Sequence, residues 1–150
     1  MRREQVEALN GAVRTIAIRH RALAGELFGR LGLHPGQEAV LFDLHAHGPR
    51  TQGQLAVAAG CEPSTITVSA RKLEAAGLIT RRPSPTDARA TIVELSEAGR
   101  ALMPELQAAY EELAERSVAG LAGVSVVDLV AALTRFAQSL QADDRCPPRP

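Results

Sequence analysis

Two helices joined by a tight turn are encoded in residues 51–77, and this pair constrains the fold more than any other stretch. Thr51 and Gln54 have capping-box spacing, which begins a helix. Gly60 suits the left-handed residue that ends a helix, and Pro63 suits the first position of the next helix. Gly77 is predicted to end that second helix. Its buried face is predicted from apolar residues spaced four and three apart, namely Ile66, Ala70 and Leu73.

Two β-like runs follow the helix pair. Residues 78–82 and 90–95 resemble strands, and residues 83–87 between them are typical of a turn. A helix, a turn, a second helix and a two-stranded wing form a winged helix-turn-helix, which places one helix in a DNA groove. We therefore predict a mostly α (α+β) fold in which residues 34–95 form a DNA-binding lobe.

The outward face of the second helix and the wing carry hydroxyls and cations, the groups that contact phosphates and base edges. Val68 can touch a thymine methyl, and Arg71 can reach guanine or phosphate. An ordinary solvated face would look similar, but the capped helix pair and the basic wing favour nucleic-acid binding. The predicted DNA-contacting residues are Thr51, Gln52, Ser64, Thr65, Thr67, Val68, Arg71, Lys72, Arg81, Arg82, Asp87 and Arg89.

Asp87 and Arg89 stand two apart in the turn of the predicted wing. We predict that the Asp87 carboxylate orients the Arg89 guanidinium, and that Arg89 enters the minor groove, where the potential is most negative. The alternative is a surface ion pair of little energetic value.

Charge is distributed unevenly along the chain, although its formal net charge is zero. Residues 50–93 hold six cations and three acids, whereas residues 94–144 hold three cations and nine acids. A basic lobe on an otherwise acidic molecule is expected of a protein that turns one surface to phosphates.

Heptad seams of apolar residues run along the first and last predicted helices and require partner helices. The first seam, within residues 4–29, is Val6, Leu9, Val13, Ile16, His20, Leu23 and Leu27. The second, after Ser125, is Val126, Leu129, Leu133, Phe136 and Leu140. We predict a homodimer whose dimerisation region comprises residues 1–33 and 96–142. His20 interrupts the first seam, and is either a half-buried histidine paired with a neighbour or a ligand or proton sensor.

Three further features complete the predicted organisation. Pro35 is predicted to open a helix that runs to about His47. Ser96 is predicted to cap the helix after the wing, and Pro104 within that helix implies either a later start or a kink. Residues 143–150 are charged and Pro-rich, which predicts a disordered tail.

The chain resembles the MarR family of regulators (multiple antibiotic resistance regulators) from residue 4 to about 140. The matching segments are 33–44 (LHPGQEAVLFDL), 48–56 (GPRTQGQLA), 73–81 (LEAAGLITR) and 87–99 (DARATIVELSEAG). The last segment is the most specific. An Asp and an Arg two apart in the wing, a strand ending in Leu-Ser or Leu-Thr, and then a Gly are typical of that family.

The resemblance implies a homodimeric transcriptional repressor that binds a pseudopalindromic operator in double-stranded DNA. It also implies release by a small aromatic or phenolic effector, in a pocket between the dimer helices and the DNA-binding lobe. By position, the candidate lining residues are His20, Leu23, Leu27, Phe42 and Tyr110.

The sequence contains no motif that favours an enzyme. Nucleophile elbows, Gly-rich phosphate loops, zincin motifs and paired-cysteine metal motifs are missing, so we expect neither catalysis nor a cofactor nor a metal. The chain has no signal peptide and no apolar run near 18 residues, so we expect a cytoplasmic protein without a membrane partner.

Two alternative functions remain open. The first is a redox-sensing regulator of the same fold that uses a cysteine. Cys61 in the turn is better interpreted as a small core residue, and Cys146 lies in the tail. The second is a winged-helix module that binds proteins instead of DNA, and the cations at the predicted interface argue against it.

Overall fold

The computed structural model describes residues 1–142 as six helices and one small sheet. The helices are α1 (Arg3–Gly29), α2 (Gln37–His47), α3 (Gln52–Ala59), α4 (Pro63–Ala75), α5 (Glu97–Val118) and α6 (Val126–Ala142). The strands are β1 (Arg50–Thr51), β2 (Ile79–Pro83) and β3 (Thr91–Leu95). The mostly helical winged fold is confirmed, while the predicted tail, residues 143–150, lies outside the described residues. The chain divides into two compact units, one from Met1 to Leu113 and one from Ala114 onward.

The start of α3 has the predicted capping box. The Thr51 hydroxyl oxygen accepts from the Gln54 amide at 3.1 Å, and the Gln54 side-chain oxygen accepts from the Thr51 amide at 2.9 Å. Gly60 ends the helix at φ 62°, a left-handed conformation that favours glycine. Pro63 occupies the first turn of α4, as predicted.

The end of α4 is also as predicted. Gly77 has φ 75°, and its amide donates to the Glu74 carbonyl at 2.9 Å. The Leu78 amide donates to the Leu73 carbonyl at 3.0 Å, which completes a Schellman motif. The predicted buried face of the helix is confirmed, since Ile66, Ala70 and Leu73 are its buried residues.

The sheet has three antiparallel strands in the order β1-β3-β2. The prediction of a two-stranded wing missed β1, in which Arg50 pairs with Val93. Two residues carry no recognisable strand pattern, so β1 exists only because β3 offers a second edge. Strand β2 begins at Ile79, one residue later than predicted, because the Leu78 amide is used in the helix cap.

The starts of α2 and α5 correct two predictions. Helix α2 begins at Gln37 and not at Pro35, since Gly36 has φ 101° and lies in a turn. The side chain of Gln37 closes that turn by accepting from the His34 amide at 2.9 Å. Helix α5 begins directly after Ser96 and runs through Pro104, so a later start is wrong.

One core forms in the first unit from the end of α1, from α2 to α5 and from the sheet. Its nine most completely buried large side chains are Leu27, Phe28, Leu41, Leu55, Ile66, Leu73, Ile79, Val93 and Leu106. Because α4 contributes two of these side chains, its orientation is fixed by the same core that holds the sheet.

The first turn of α5 lies against the connection between α4 and β2. The Ser96 hydroxyl donates to the Gly77 carbonyl at 2.6 Å and accepts from the Gly99 amide at 3.0 Å. The Ser96 amide donates to the Leu78 carbonyl at 3.0 Å. A methyl group on Gly99 would collide with that same carbonyl oxygen. We call the residues Gly77, Leu78, Ser96 and Gly99 the α4–α5 joint.

We expect Gly99→Ala to lower the free energy of unfolding by about 2–3 kcal/mol, because the added methyl meets backbone that cannot rotate away. Urea denaturation at one protein concentration measures the change. Gly29→Ala is the control, since no described atom outside its neighbouring residues and the local helix backbone lies within 4 Å of the added carbon. A Gly99→Ala variant as stable as the control would contradict the close packing of α5.

Candidate nucleic-acid interface

Helix α4 presents five of the predicted contact residues on one exposed face. The buried residues of the helix lie on the opposite side, because the core holds them there. Val68, which is 52% exposed, lies at the centre of the exposed face. Two cations follow it toward the end of the helix. The five residues of this face are Ser64, Thr65, Val68, Arg71 and Lys72.

Thr67 does not lie on that face, and its predicted outward orientation is wrong. The side chain is half-buried, and its hydroxyl donates to the Pro63 carbonyl at 3.0 Å. The hydroxyl also lies 3.4 Å from the side-chain oxygen of half-buried Gln52. Thr67 lies three residues before buried Ala70 and four before exposed Arg71, which places it at the edge between the two faces of α4. Thr67 therefore lies beside α3, close to Gln52.

Two arginines of the basic lobe hold elements of the fold together. The Arg81 Nε on β2 donates to Glu74 Oε2 on α4 at 2.8 Å. The Arg50 Nε on β1 donates to Asp43 Oδ2 on α2 at 3.0 Å. Both arginine side chains are mostly covered, with 24% and 26% exposed. The two edge strands of the sheet are thus each tied to a helix.

The carboxyl groups of these pairs are stabilised in their charged forms. The hydrogen bond from Arg81 holds the pKa of Glu74 below its usual range. The hydrogen bond from Arg50 lowers the pKa of Asp43 although burial opposes it, and nearby His47 adds to the lowering. Both pairs therefore persist at neutral pH.

Three other cations remain available to an external partner. Arg71 and Lys72 on α4, and Arg89 at the wing, are exposed and form no ion pair within residues 1–142. Arg82 lies between the paired and the unpaired cations, because its side chain is exposed but its Nε is 3.7 Å from Glu94 Oε1. Within residues 50–93, the unpaired positive charge therefore lies on α4 and the wing.

The turn of the wing corrects the predicted role of Asp87. Its carboxylate accepts from the backbone amide of Arg89 at 2.9 Å, and its carbonyl accepts from the Ala90 amide at 3.0 Å. An Asp side chain readily reaches the amide two residues later, because the turn brings the two together. Asp87 thus shapes the loop backbone and leaves the Arg89 guanidinium free, in contrast to the predicted pairing of the two side chains.

The predicted effector residues separate into different environments. Phe42 on α2 and Tyr110 on α5 have ring centroids 5.0 Å apart, and Tyr110 is 47% exposed. Leu27 is closed within the core, Leu23 packs partly against it, and His20 is exposed on α1. The structure therefore brings the two aromatic residues together at a surface.

A cleft of about 660 Å³ lies between α1, the turn before α2 and helix α4. Arg21, His34, Cys61, Ser69 and Lys72 are among its lining residues, which include none of the predicted effector residues. Sequence patterns could not identify this cleft, because its walls come from four separate segments. Half-buried Cys61 packs against the core, as expected of a small core residue.

Metal-binding clusters and membrane-spanning helices are both missing from the described residues. Residues 1–142 contain no cluster of three or more His, Cys, Asp or Glu side chains that could hold a metal ion. Among the described helices, none has the length and apolar content needed to cross a membrane.

Comparisons with known proteins identify relatives of this chain. The family model described as MarR family matches residues 33–91. The HTH-type transcriptional repressor NicR of Pseudomonas putida is 34% identical over 85 residues, or 57% of this chain. That match spans only about half of NicR, 54% of its length.

Solved structures extend the similarity to most of the chain. A probable transcriptional regulator from Pseudomonas aeruginosa is 32% identical with a TM-score of 0.73, covering 87% of this chain and 95% of that one. BpsR of Bordetella bronchiseptica is 24% identical with a TM-score of 0.77. The DNA binding of BpsR is regulated by 6-hydroxynicotinic acid. The BpsR match covers 87% of this chain and 99% of BpsR, and it supports the fold alone.

We expect Asp43→Asn to lower the melting temperature at pH 7 by a few degrees, because Arg50 loses its charged partner. The pKa of Asp43 is lowered in the folded protein, so its contribution is present above pH 4 and is lost as the pH falls through the folded value. Wild type and variant should therefore converge in acid. Thermal unfolding from pH 7 down to pH 3 measures this, with the exposed Glu105→Gln as control. A difference that stays constant with pH would contradict the role of the Asp43 charge.

Proposed function

Because the chain belongs to the MarR family, we propose that it is a transcriptional regulator that binds double-stranded DNA in a sequence-specific manner. The observation that carries this proposal is the exposed face of α4, where hydroxyls and Val68 stand beside Arg71 and Lys72. Such a face offers contacts to base edges and phosphates together. Unpaired cations grouped on this surface favour a polyanionic partner such as DNA over a protein partner.

In the proposed complex, α4 lies in the major groove and the wing reaches the adjacent minor groove. Ser64, Thr65 and Val68 in the first turns of α4 contact base edges. Arg71, Lys72 and Arg82 contact phosphates, and Gln52 at the start of α3 approaches the same backbone. Arg89 enters the minor groove from a loop that Asp87 shapes.

Four of the predicted contact residues take supporting roles in this proposal. Thr51 caps α3 with its hydroxyl, and Thr67 lies against Gln52 of α3. Asp87 holds the wing loop, and Arg81 holds β2 against α4. Each keeps a DNA-contacting group in place, and its loss would affect binding indirectly.

The regulator acts as a homodimer on a pseudopalindromic operator, because two copies of α4 related by a two-fold axis require two half-sites. Exposed apolar side chains on two helices support dimerisation. In α1 they include Val6, Leu9 and Ile16, and in α6 they include Val126, Val130, Leu133, Phe136 and Leu140. A second copy would cover surfaces that a soluble monomer rarely exposes. Under this proposal, residues 1–33 and 96–142 form the dimerisation region and residues 34–95 the DNA-binding lobe.

We further propose that the protein is a repressor released by a small aromatic effector. NicR is named as a repressor, and 6-hydroxynicotinic acid regulates DNA binding by BpsR. The pair Phe42–Tyr110 offers aromatic surface at the predicted position. The 660 Å³ cleft beside α4 offers a second place of suitable size for a small ligand.

We expect Arg89→Ala to weaken binding to operator and scrambled DNA alike. It should lower the slope of log affinity against log salt by about one, because one cation no longer displaces a counterion. Val68→Ala is the contrasting variant, and it should lower operator affinity by ~1–3 kcal/mol while scrambled DNA is bound as before.

A salt titration of both variants on both DNAs tests the proposed function. The operator probe is a duplex selected by the wild-type protein from random DNA. If wild-type protein binds no duplex, the proposed function is wrong. If Arg89→Ala keeps the wild-type slope, the assignment of the wing to the minor groove is wrong.

We expect light scattering at micromolar concentration to give about twice the 15.9 kDa mass of one chain. Leu133→Glu should shift the protein toward a monomer, because it places a charge on the apolar seam of α6. Val127→Glu is the matched control, since Val127 is 76% exposed and lies outside that seam. A wild-type mass near that of one chain would overturn the proposed homodimer.

A further inference from the structure

The pair Glu74–Arg81 connects the recognition helix to the wing. Glu74 lies in the last turns of α4, and Arg81 is the central residue of β2. The Arg81 Nε and one terminal nitrogen of its guanidinium both donate to Glu74 Oε2. Arg81 also lies opposite Val93 in the register of the sheet, so its backbone is held by β3.

The position of Glu74 is unfavourable unless a cation accompanies it. A carboxylate near the end of a helix faces the negative end of the helix dipole. In the proposed complex it would also lie on a helix that approaches phosphates. The positive charge of the Arg81 guanidinium offsets both effects. Its two hydrogen bonds to Glu74 Oε2 fix the orientation of the guanidinium relative to α4.

The pair adds a side-chain link between β2 and α4 to the pairing of β2 with β3. Helix α4 and strand β2 are joined by the short connection through Gly77 and Leu78, and Ile79 anchors the start of the strand in the core. Beyond Ile79 the side chains of β2 are exposed or half-buried. The wing loop begins at Ser84, about 10 Å from Arg81 along the strand. A rotation of β2 about its anchored end would therefore displace Arg89.

We propose that Glu74 and Arg81 are positioning residues that set the distance between the bases contacted by α4 and the minor-groove position reached by Arg89. This proposal rests on the proposed function. A narrow minor groove is typical of A·T tracts, so we expect an A·T tract under the wing, beside the bases that α4 contacts. The proposal makes the spacing between those bases and this flanking A·T tract a feature that the protein discriminates. It also removes Arg81 from the cations that neutralise phosphates.

The test uses the full chain and the selected duplex in three forms: unaltered, and with the flanking A·T tract moved by one or two base pairs. Wild type should prefer the original spacing. Glu74→Gln should reduce that preference about fivefold, the lower end of typical coupling between two sites. Glu62→Gln is the matched control, because this acid precedes α4 and makes no capping hydrogen bond in the described chain. It should keep the wild-type preference.

Arg81→Lys separates positioning from phosphate contact. It retains the charge but loses the two parallel donors, so it should lose spacing preference as Glu74→Gln does. Arg81→Gln should leave the salt slope on scrambled DNA unchanged, unlike Arg89→Ala.

Several results would overturn the proposal. If Glu74→Gln keeps the spacing preference, the pair does not position the wing. If both Glu74→Gln and Arg81→Lys weaken all duplexes equally, the pair contributes to stability alone. If Arg81→Gln lowers the salt slope by about one, Arg81 contacts a phosphate. Wild-type protein that binds DNA without any spacing preference would refute this proposal and leave the proposed function standing, whereas failure to bind DNA would refute both.

Discussion

The close approach of α5 to the α4–β2 connection is the contact on which the arrangement of the lobe depends. The Leu78 carbonyl accepts from the Ser96 amide, and only a glycine at position 99 leaves room for that carbonyl beside the helix. The Ser96 hydroxyl then satisfies the carbonyl of Gly77, just beyond α4, and one of the first amides of α5. The end of the recognition helix, the base of the wing and the start of α5 therefore cannot move independently.

Arginines divide into those that hold the lobe together and those that face solvent. Formal charge over residues 50–93 does not distinguish these classes. Arg50 and Arg81 are covered and paired with acids on α2 and α4, whereas Arg71 and Arg89 are exposed. A single acid in the correct position thus decides whether a cation supports the fold or remains available to a partner. The result is a rigid sheet flanked by a smaller positive surface than the composition implies.

Local sequence signals were sufficient to predict most of the helices and strands. They were insufficient to predict several side-chain contacts. Thr51, Gly60, Pro63 and Gly77 act on their own helix ends, so the helix pair could be predicted from neighbouring residues. Strand β1 depends on a partner strand some 40 residues later, which no local pattern reveals. The orientation of Thr67 depends on the packing of α3, and the partner of Asp87 depends on the shape of a turn. Arg81 could be predicted as a cation of the lobe, but its pairing with Glu74 required the tertiary structure.

Helix α5 connects the α4–α5 joint to the aromatic pair proposed for the effector. Ser96 and Gly99 lie at its start, and Tyr110 follows 14 residues after Ser96, about 20 Å along the helix. Pro104 lies between them and lacks the amide that would bond to the carbonyl of residue 100, while Met103 and Leu106 beside it are buried in the core. A ligand that moved Tyr110 away from Phe42 would displace the part of α5 that follows Pro104. The α4–α5 joint would transmit part of that displacement to the end of α4. Because α4 ends in the Gly77–Leu78 cap, a shift there would turn the recognition helix and the base of the wing together.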